Sequence, residues 1–425
     1  NSNDTKINDT NEIDTINSIQ DIINTNGTNS SNDTSSTNTP SNITSIIENN
    51  GFNLLNYSKD NLSLEVVEVI DLDEVIFHLT GKDLNHKIIN ITENKQYTEI
   101  MNGLQNLLCS RMNAISNELK RDGFKLDENE SISVNNKKEK SENSSRDGDY
   151  YSSASFCFGA NIELKNYYYQ KKKISKNMVE KLFETLSNKA ESIENKLDNE
   201  KIETISDLQT FMVVKERIND VKEQINKFNE SLELSQNELY SLLAYTEERL
   251  FSAITWMQFF EMDGKKFVMD DNILRKSCQQ KISESEQMLQ YASIYLGEFY
   301  LQRIGNRNQL AKKAMENNEY ALCLILASQS KGESNAVLST LGLPAEALDD
   351  FIESKQKAVQ GVINKNSAKD IFPILGYSYY QYSQSLAKDQ KYTSLIYLEY
   401  ALEMSELSIY FPEDIAYVEN FDKFE

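Results

Sequence analysis

The first fifty residues contain no Leu, Val, Phe, Tyr, Trp, Met, Cys or Ala. Asn, Ser and Thr occupy 30 of these positions, and nine Ile are the only large apolar side chains. Burying so few apolar groups does not offset the roughly 1–2 kcal/mol of backbone entropy that each ordered residue loses. We therefore predict a disordered polar tether over residues 1–50 and a folded body that begins near Gly51.

Proline is also scarce, with four residues in a chain of 425 and none between Pro40 and Pro344. Because proline interrupts helices, its absence permits long helices throughout this stretch. An AT-rich genome would deplete proline without any structural cause. The periodicity of the apolar residues therefore has to carry the helical prediction.

Basic residues are the minority, since 44 Lys and Arg stand against 66 Asp and Glu, for a net charge of −22. Such a chain repels phosphate backbones, so nucleic acid is excluded as a partner. Runs of 18 apolar residues are absent, and we predict no membrane span in this segment, although an anchor could lie outside it. The chain begins with Asn1, which predicts a processed product or a piece of a longer protein.

Sequence signatures of catalysis are missing. The chain contains no Walker loop, Gly-x-Gly-x-x-Gly, His-Glu-x-x-His or Gly-x-Ser-x-Gly motif. The only histidines, His78 and His86, lack neighbours that would complete a metal-ligand set. We therefore predict no catalytic residue, metal or cofactor in this segment.

The four cysteines, Cys109, Cys157, Cys278 and Cys323, are far apart, and each lies within an apolar helical pattern. Metal-ligand spacing such as Cys-x-x-Cys is absent. Buried free thiols are the favoured interpretation, and disulfide bonds between them remain open.

Asn-x-Ser/Thr motifs are frequent, which indicates that the protein is N-glycosylated and exported. We therefore predict that it lies outside the cytoplasmic membrane, in the cell envelope or the extracellular space. The candidate glycosylation sites are Asn26, Asn29, Asn32, Asn42 and Asn56. A tail so rich in Asn, Ser and Thr also produces such motifs by chance. Further motifs follow at Asn61, Asn90, Asn129, Asn143 and Asn229.

The predicted fold class is all-α, with antiparallel helical hairpins packed in a tetratricopeptide-like manner and a small α/β or extended piece near the start. That piece has a β-branched stretch at 64–70, a helix from Asp71 to the stop at Gly81, and a second strand at 87–91. The predicted segments are 51–126 (small piece and first helix), 127–148 (polar linker), 149–303 (long hairpins) and 304–425 (C-terminal hairpins). Within the last two, helices are predicted near 174–200, 206–232, 235–262, 271–303, 307–329, 333–341, 344–364, 371–387 and 391–409.

A coiled-coil seam is predicted in the helix at 206–232. Its apolar residues alternate spacings of three and four: Phe211, Val214, Ile218, Val221, Ile225, Phe228 and Leu232. The predicted antiparallel partner is the preceding helix, with Met178, Leu182, Leu186, Ile193 and Leu197, and a dimeric coiled coil is the alternative. Capping boxes are predicted at Ser206 with Gln209 and at Ser235 with Glu238.

An aromatic residue directly after a polar turn recurs three times, in Asp149-Tyr150, Glu319-Tyr320 and Lys391-Tyr392. Helical repeats of tetratricopeptide type use such an aromatic to lock paired helices. The last hairpin is also rich in tyrosine. Four of its residues are candidates for a peptide-binding groove, with ordinary core packing as the favoured alternative: Tyr379, Tyr382, Tyr397 and Tyr400.

Five short motifs occur in one order along residues 62–411: Tyr97-Thr-Glu-Ile-Met101, Leu108-Cys-Ser-Arg111, Gly148-Asp-Tyr-Tyr-Ser-Ser-Ala-Ser155, Tyr397-Leu-Glu-Tyr-Ala-Leu-Glu-Met-Ser405 and Ile409-Tyr-Phe411. In these motifs and in the order of its helices, the chain resembles the helical region downstream of the peptidase domain in archaeal exported Lon-like serine proteases. The resemblance implies an accessory region, preceded in that family by a signal segment and a Ser-Lys peptidase domain. Nothing in this chain matches the peptidase motifs, so no catalytic residue is carried over.

The sequence thus predicts a non-catalytic extracytoplasmic helical module with protein or peptide partners, which presents substrates or supports envelope assembly. The alternative is a stand-alone adhesin-like or scaffold protein of the cell envelope without a link to a protease.

Overall fold

The computed structural model describes residues 54–67, 69, 72–82, 90–230, 234–260, 262–267, 270–406 and 410. The predicted tether at 1–50 lies outside these residues. The chain divides between Ile88 and Ile89 into a small N-terminal unit and a large body. The first long helix belongs to the body, whereas the sequence grouped it with the small piece.

The protein is all-α across the described residues, as predicted. The small unit holds α1 (Leu54–Leu62) and α2 (Leu72–Thr80). The body holds α3 (Lys95–Arg121), α4 (Glu128–Arg146), α5 (Tyr150–Lys172), α6 (Lys176–Leu197), α7 (Ile205–Glu230), α8 (Gln236–Trp256), α9 (Asp271–Tyr295), α10 (Glu298–Glu316), α11 (Tyr320–Thr340), α12 (Leu348–Ser367), α13 (Ile374–Leu386) and α14 (Lys391–Ser405).

In the small unit, α2 ends where the sequence predicts, because Gly81 adopts a left-handed φ of 70°. The strand predicted at 64–70 does not form in residues 64–67 and 69. The second predicted strand, at 87–91, lies mostly outside the described residues.

The polar linker predicted at 127–148 is the helix α4 instead. Its start is fixed by a capping box, in which Asp127 accepts from the Glu130 amide and Glu130 accepts from the Asp127 amide. Only Val134, Ser141 and Ser144 of this helix are buried. So few apolar residues leave no 3.6-residue period to detect, which is why the sequence suggests a break.

A three-helix unit occurs twice in the body, as α3–α5 and as α9–α11. Its middle helix has 19 residues in both cases. The turn that follows uses a left-handed residue, Gly148 (φ 79°) in the first unit and Asn318 (φ 62°) in the second. The next helix then starts at Tyr150 or Tyr320, so two of the three predicted aromatic turns share one geometry.

A disulfide bond joins the first and third helices of each unit. Cys109 of α3 bonds to Cys157 of α5, with a Cα–Cα distance of 5.1 Å, and Cys278 of α9 bonds to Cys323 of α11 at 5.8 Å. Both Cα distances are normal for disulfides. The preference for free thiols is therefore wrong, because packing of non-consecutive helices brings together cysteines that are far apart in sequence.

Helices α6 and α7 form the predicted antiparallel pair. Phe183 near the start of α6 stacks on Phe228 near the end of α7, with ring centroids 4.2 Å apart. Ile218 is fully buried in the seam. Met178 is 47% exposed and lies outside the interface, where Val179 is buried in its place.

One predicted cap is confirmed and one is wrong. Ser235 and Glu238 form the capping box of α8. At the start of α7, however, the reciprocal pair is Thr204 with Asp207, at N–O distances of 2.9 and 3.0 Å. The Ser206 hydroxyl donates instead to the Phe372 carbonyl in a tertiary contact.

The helix predicted at 271–303 breaks near its end. Helix α9 ends at Tyr295, and Gly297 adopts an extended conformation as the N-cap of α10. The domain boundary predicted at 303/304 consequently falls inside α10.

Candidate polypeptide-binding cleft

The four tyrosines predicted to line a peptide groove pack against each other. Tyr379 and Tyr400 are buried, at 7% and 4% exposure, and Tyr382 and Tyr397 are half-buried. The ring of Tyr397 lies 4.7 Å from that of Tyr382 and 5.7 Å from that of Tyr400. For Tyr379 and Tyr400 the groove interpretation is therefore wrong, and core packing explains them.

The hydroxyl of Tyr400 is also committed to an internal ion cluster. It donates to the buried carboxylate of Glu333, which Arg303 and Arg307 also bind. Burial opposes ionisation of Glu333, but the two guanidinium groups hold its pKa below the ordinary value. The helices approach closely here, since a Cβ on Gly332 would lie 2.9 Å from the Tyr400 ring.

A cleft of about 600 Å³ opens elsewhere on the body. It lies between the residues that begin α3, the turn from α4 to α5, and the outer part of α13. Its walls are polar and aromatic: Glu93, Tyr97, Thr98, Ser144, Asp147, Gly148, Asp149, Tyr150, Tyr377, Gln381, Gln384 and Ser385.

Asp149 connects two walls of the cleft. As the N-cap of α5, its side chain accepts from the Ser152 amide at 3.1 Å. Its second carboxylate oxygen accepts from the Ser385 hydroxyl of α13 at 2.8 Å. Left-handed Gly148 makes the turn that aims Asp149 at α13.

Tyr97 forms the floor. It is 2% exposed, and its hydroxyl hydrogen-bonds to Ser378 at 2.8 Å and donates to Gln381 Oε1 at 3.2 Å. The Tyr377 ring lies edge-on to the Tyr97 ring, with centroids 5.1 Å apart. The floor is thus held by α3 and α13 together.

The described residues that line the cleft are acidic or uncharged. The cleft contains the carboxylates of Glu93, Asp147 and Asp149, and no Lys, Arg or His is among the described residues that line it. Burial raises the pKa of Asp149, whose hydrogen-bond donors here are uncharged. Burial, followed by the charges of Asp149 and Glu93, raises the pKa of Tyr377 to about 12. An arrangement of this kind favours a cationic ligand.

A second ionic cluster, by contrast, is neutral and internally satisfied. Lys281 contacts Glu284 at 2.7 Å and Glu403 at 2.9 Å, and Lys331 contacts the same two carboxylates at 2.9 and 2.8 Å. This closed ring ties α9, α11 and α14 together. Because each of the four charged groups is paired within the ring, we interpret the ring as a structural contact between helices and not as a ligand site.

Stability is expected to fall as the pH falls from about 4.5 towards 2. Burial acts to raise the pKa of Glu284, but the hydrogen bonds from Lys281 and Lys331 prevail and lower it to about 2. The unfolded chain then binds more protons in this range, so acid favours unfolding. Denaturant titrations at pH 5 and pH 2.5 should show a smaller loss for Glu284→Gln than for the wild type. An equal loss of unfolding free energy in the variant would contradict this expectation. The control is Glu346→Gln, which changes an exposed carboxylate.

Within the described residues, no group of three or more His, Cys, Asp or Glu side chains is arranged to hold a metal ion. None of the helices that the structure describes combines the length and the apolar character needed to cross a membrane.

Comparison of the chain with protein-family models, with curated proteins and with solved structures finds no match.

The sequence contained partial signals for the cleft. The sequence marks Asp149-Tyr150 as a turn before a helix and Tyr377 as part of a tyrosine-rich helix. Both patterns predict helix packing, and neither predicts a binding site. Glu93 and Gln381 have no local signal, because only tertiary packing brings the start of α3 against α13.

Proposed function

We propose that this protein is a non-catalytic helical module that binds polypeptide segments, and that the cleft between α3, the α4–α5 turn and α13 receives a basic segment. The observation that carries the proposal is a concave site of about 600 Å³ with three carboxylates and no cation among its described lining residues. Basic side chains compensate such a charge at short range.

The size and lining of the cleft fit a short extended segment. Its volume lies within the range of small-ligand sites, so it holds a few side chains and not a folded domain. Gln381 and Gln384 present amides that can hydrogen-bond to a backbone, and Tyr377 presents an aromatic face.

The protein itself contains a precedent for the charge pairing. In the second three-helix unit, Glu319 occupies the place that Asp149 has in the first, directly before the helix-starting tyrosine. The ammonium group of Lys215 on α7 lies 3.8 Å from the Glu319 carboxylate. This lysine, whose closer partners are Glu194 at 3.0 Å and Asp198 at 3.3 Å, thus also places a positive charge near the Glu319 turn. The corresponding turn in the other unit lines the cleft.

We further propose that the module acts outside the cytoplasmic membrane. The two disulfides support this location, since such bonds persist in oxidising compartments. The motif resemblance supports a role as an accessory region that presents substrates to a Lon-like peptidase. The tail sequons Asn26, Asn29, Asn32 and Asn42 would then carry glycans, and both they and the side chain of Asn56 lie outside the described part of the structure.

One observation favours a scaffold protein as the second candidate. The tip of the α9–α10 hairpin exposes Ile294 (73%), Tyr295 (69%) and Phe299 (79%). Adjacent exposed apolar side chains are typical of protein docking surfaces. A scaffold would use this tip independently of the cleft.

Binding of a Lys-rich extended peptide, measured by fluorescence anisotropy, should weaken about tenfold or more in the triple variant Glu93→Gln, Asp147→Asn, Asp149→Asn, since each tenfold change corresponds to about 1.4 kcal/mol. Asparagine is also a good N-cap, so the change at Asp149 removes charge and keeps the cap of α5. Binding should also weaken with salt.

The control variant is Glu346→Gln, which removes an exposed carboxylate outside the cleft. The control peptide replaces each Lys by Glu. Equal binding of the acidic peptide, or undiminished binding by the triple variant, would remove the cleft as the site.

A further inference from the structure

Four Asn-x-Ser/Thr motifs of the body have their asparagine within the described residues, at Asn90, Asn129, Asn143 and Asn229. All four asparagines are exposed. The described part of the body also contains buried asparagines, namely Asn161, Asn308 and Asn366, at 0%, 2% and 3% exposure. None of those three belongs to such a motif.

The four exposed asparagines also lie outside helices or in the terminal turns of helices, where an attached glycan disturbs few packing contacts. Asn90 lies in the segment before α3, and Asn129 is in the first turn of α4. Asn143 and Asn229 lie in the last turns of α4 and α7. Sequons in the interior of a packed helix, where a glycan would prevent packing, are absent from the described body.

Helix α4 presents two of these sites on one face. Asn129 and Asn143 are about 21 Å apart along the axis at 1.5 Å per residue, and roughly four turns separate them, so their side chains project in similar directions. This helix buries only Val134, Ser141 and Ser144. Its outer face is therefore free of the packing that a glycan would displace.

We infer that Asn90, Asn129, Asn143 and Asn229 are N-glycosylation sites of the folded body. In the modification, Asn Nδ2 bonds to the anomeric carbon of a sugar while the bond from that carbon to the phosphate of a lipid-linked donor breaks. The lipid phosphate leaves with the electron pair, and a base of the glycosyltransferase takes the proton from Nδ2. The inference rests on the proposed location outside the cytoplasmic membrane and is independent of the cleft.

The test is peptide mass mapping of the full chain isolated from the envelope fraction of the cells that produce it. Each of the four peptides should carry an oligosaccharide mass. Ser145→Ala should abolish the mass at Asn143 without changing that asparagine, and Ser145→Thr should retain it, because either hydroxyl residue completes the motif. Asn136, an exposed asparagine of α4 outside any motif, should stay unmodified.

Three outcomes would overturn the inference in different ways. Envelope protein whose four asparagines are unmodified rejects the glycans and leaves the proposed location standing. Unmodified protein found only in the cytoplasm rejects both. A mass at Asn143 that persists in Ser145→Ala also overturns the inference, since the modification would not depend on the motif.

Discussion

Replacement of Cys109 and Cys157 by Ala is expected to lower the free energy of unfolding by about 4 kcal/mol, as the chain-entropy relation gives for loops of this length. The bond closes a loop with a sequence separation of 48, so it strongly restricts the unfolded chain. Cys157 is fully buried and Cys109 half-buried. Alanine avoids a polar group at either position. Denaturant unfolding of the oxidised wild type and the variant measures the difference.

The second bond supplies the comparison. Cys278 and Cys323 are separated by 45 residues, and replacing both by Ala should produce a loss of the same size. Reducing agent should destabilise the wild type and each single-bond variant but leave the variant without cysteine unchanged. Differences below about 1 kcal/mol for both bonds would contradict their structural role.

Ile218→Asp in α7 is expected to cost about 4 kcal/mol or more, or to prevent folding. Ile218 is fully buried in the body's main core. The substitution removes an apolar side chain and places a carboxylate in an apolar surrounding, where the charged form is disfavoured. Ile218→Val removes one methylene and should cost about 0.5–1.5 kcal/mol, which keeps the test informative if the Asp variant does not fold.

A matched control is available on the neighbouring helix. Ile254 of α8 is 43% exposed, so Ile254→Asp makes the same chemical change where water still reaches the side chain. We expect a loss of about 1 kcal/mol or less there. Similar losses at the two positions would show that the seam face of α7 is not buried as described.

The two disulfides and the two similar turns indicate how the body is organised. In each three-helix unit, a disulfide bond joins the first and third helices. Local rules predict the turn that follows the middle helix, because Gly148 and Asn318 are residue types that tolerate a left-handed conformation. The pairing of cysteines follows only when α3 meets α5 and α9 meets α11.

Helix caps show the same division between local and tertiary information. Ser235 and Glu238 form the capping box that their local spacing predicts. Ser206 with Gln209 has the same sequence pattern, yet the Ser206 hydroxyl donates to the Phe372 carbonyl. Thr204 and Asp207 cap the helix instead. A pattern read along the chain does not contain that distant carbonyl.

The candidate site was the least predictable feature. A cluster of tyrosines in the last hairpin suggests a groove, but a tyrosine-rich helix face is compatible with both core and surface. Tyr400 is a core residue because α11 covers it, with Gly332 allowing the close approach. Tyr379 is a core residue because its ring packs against Tyr151 of α5 and against Tyr400. The cleft, in turn, forms only where the carboxylates of the segment before α3 and of the α4–α5 turn lie next to α13.

The sequence by itself determined the all-α class, the position of most helices and the seam residue Ile218, since these follow from apolar periodicity and from residues such as Gly81 that end helices. It did not determine α4, whose polar sequence carries no period. The helices predicted at 307–329 and 333–341 are also wrong, because the chain turns at Asn318 and α11 then continues from Tyr320 to Thr340. Tertiary structure alone decided which cysteines pair, which tyrosines are buried and where the acidic cleft lies. These features depend on contacts between residues far apart in the chain, and helix periodicity constrains which face is buried without specifying what covers it.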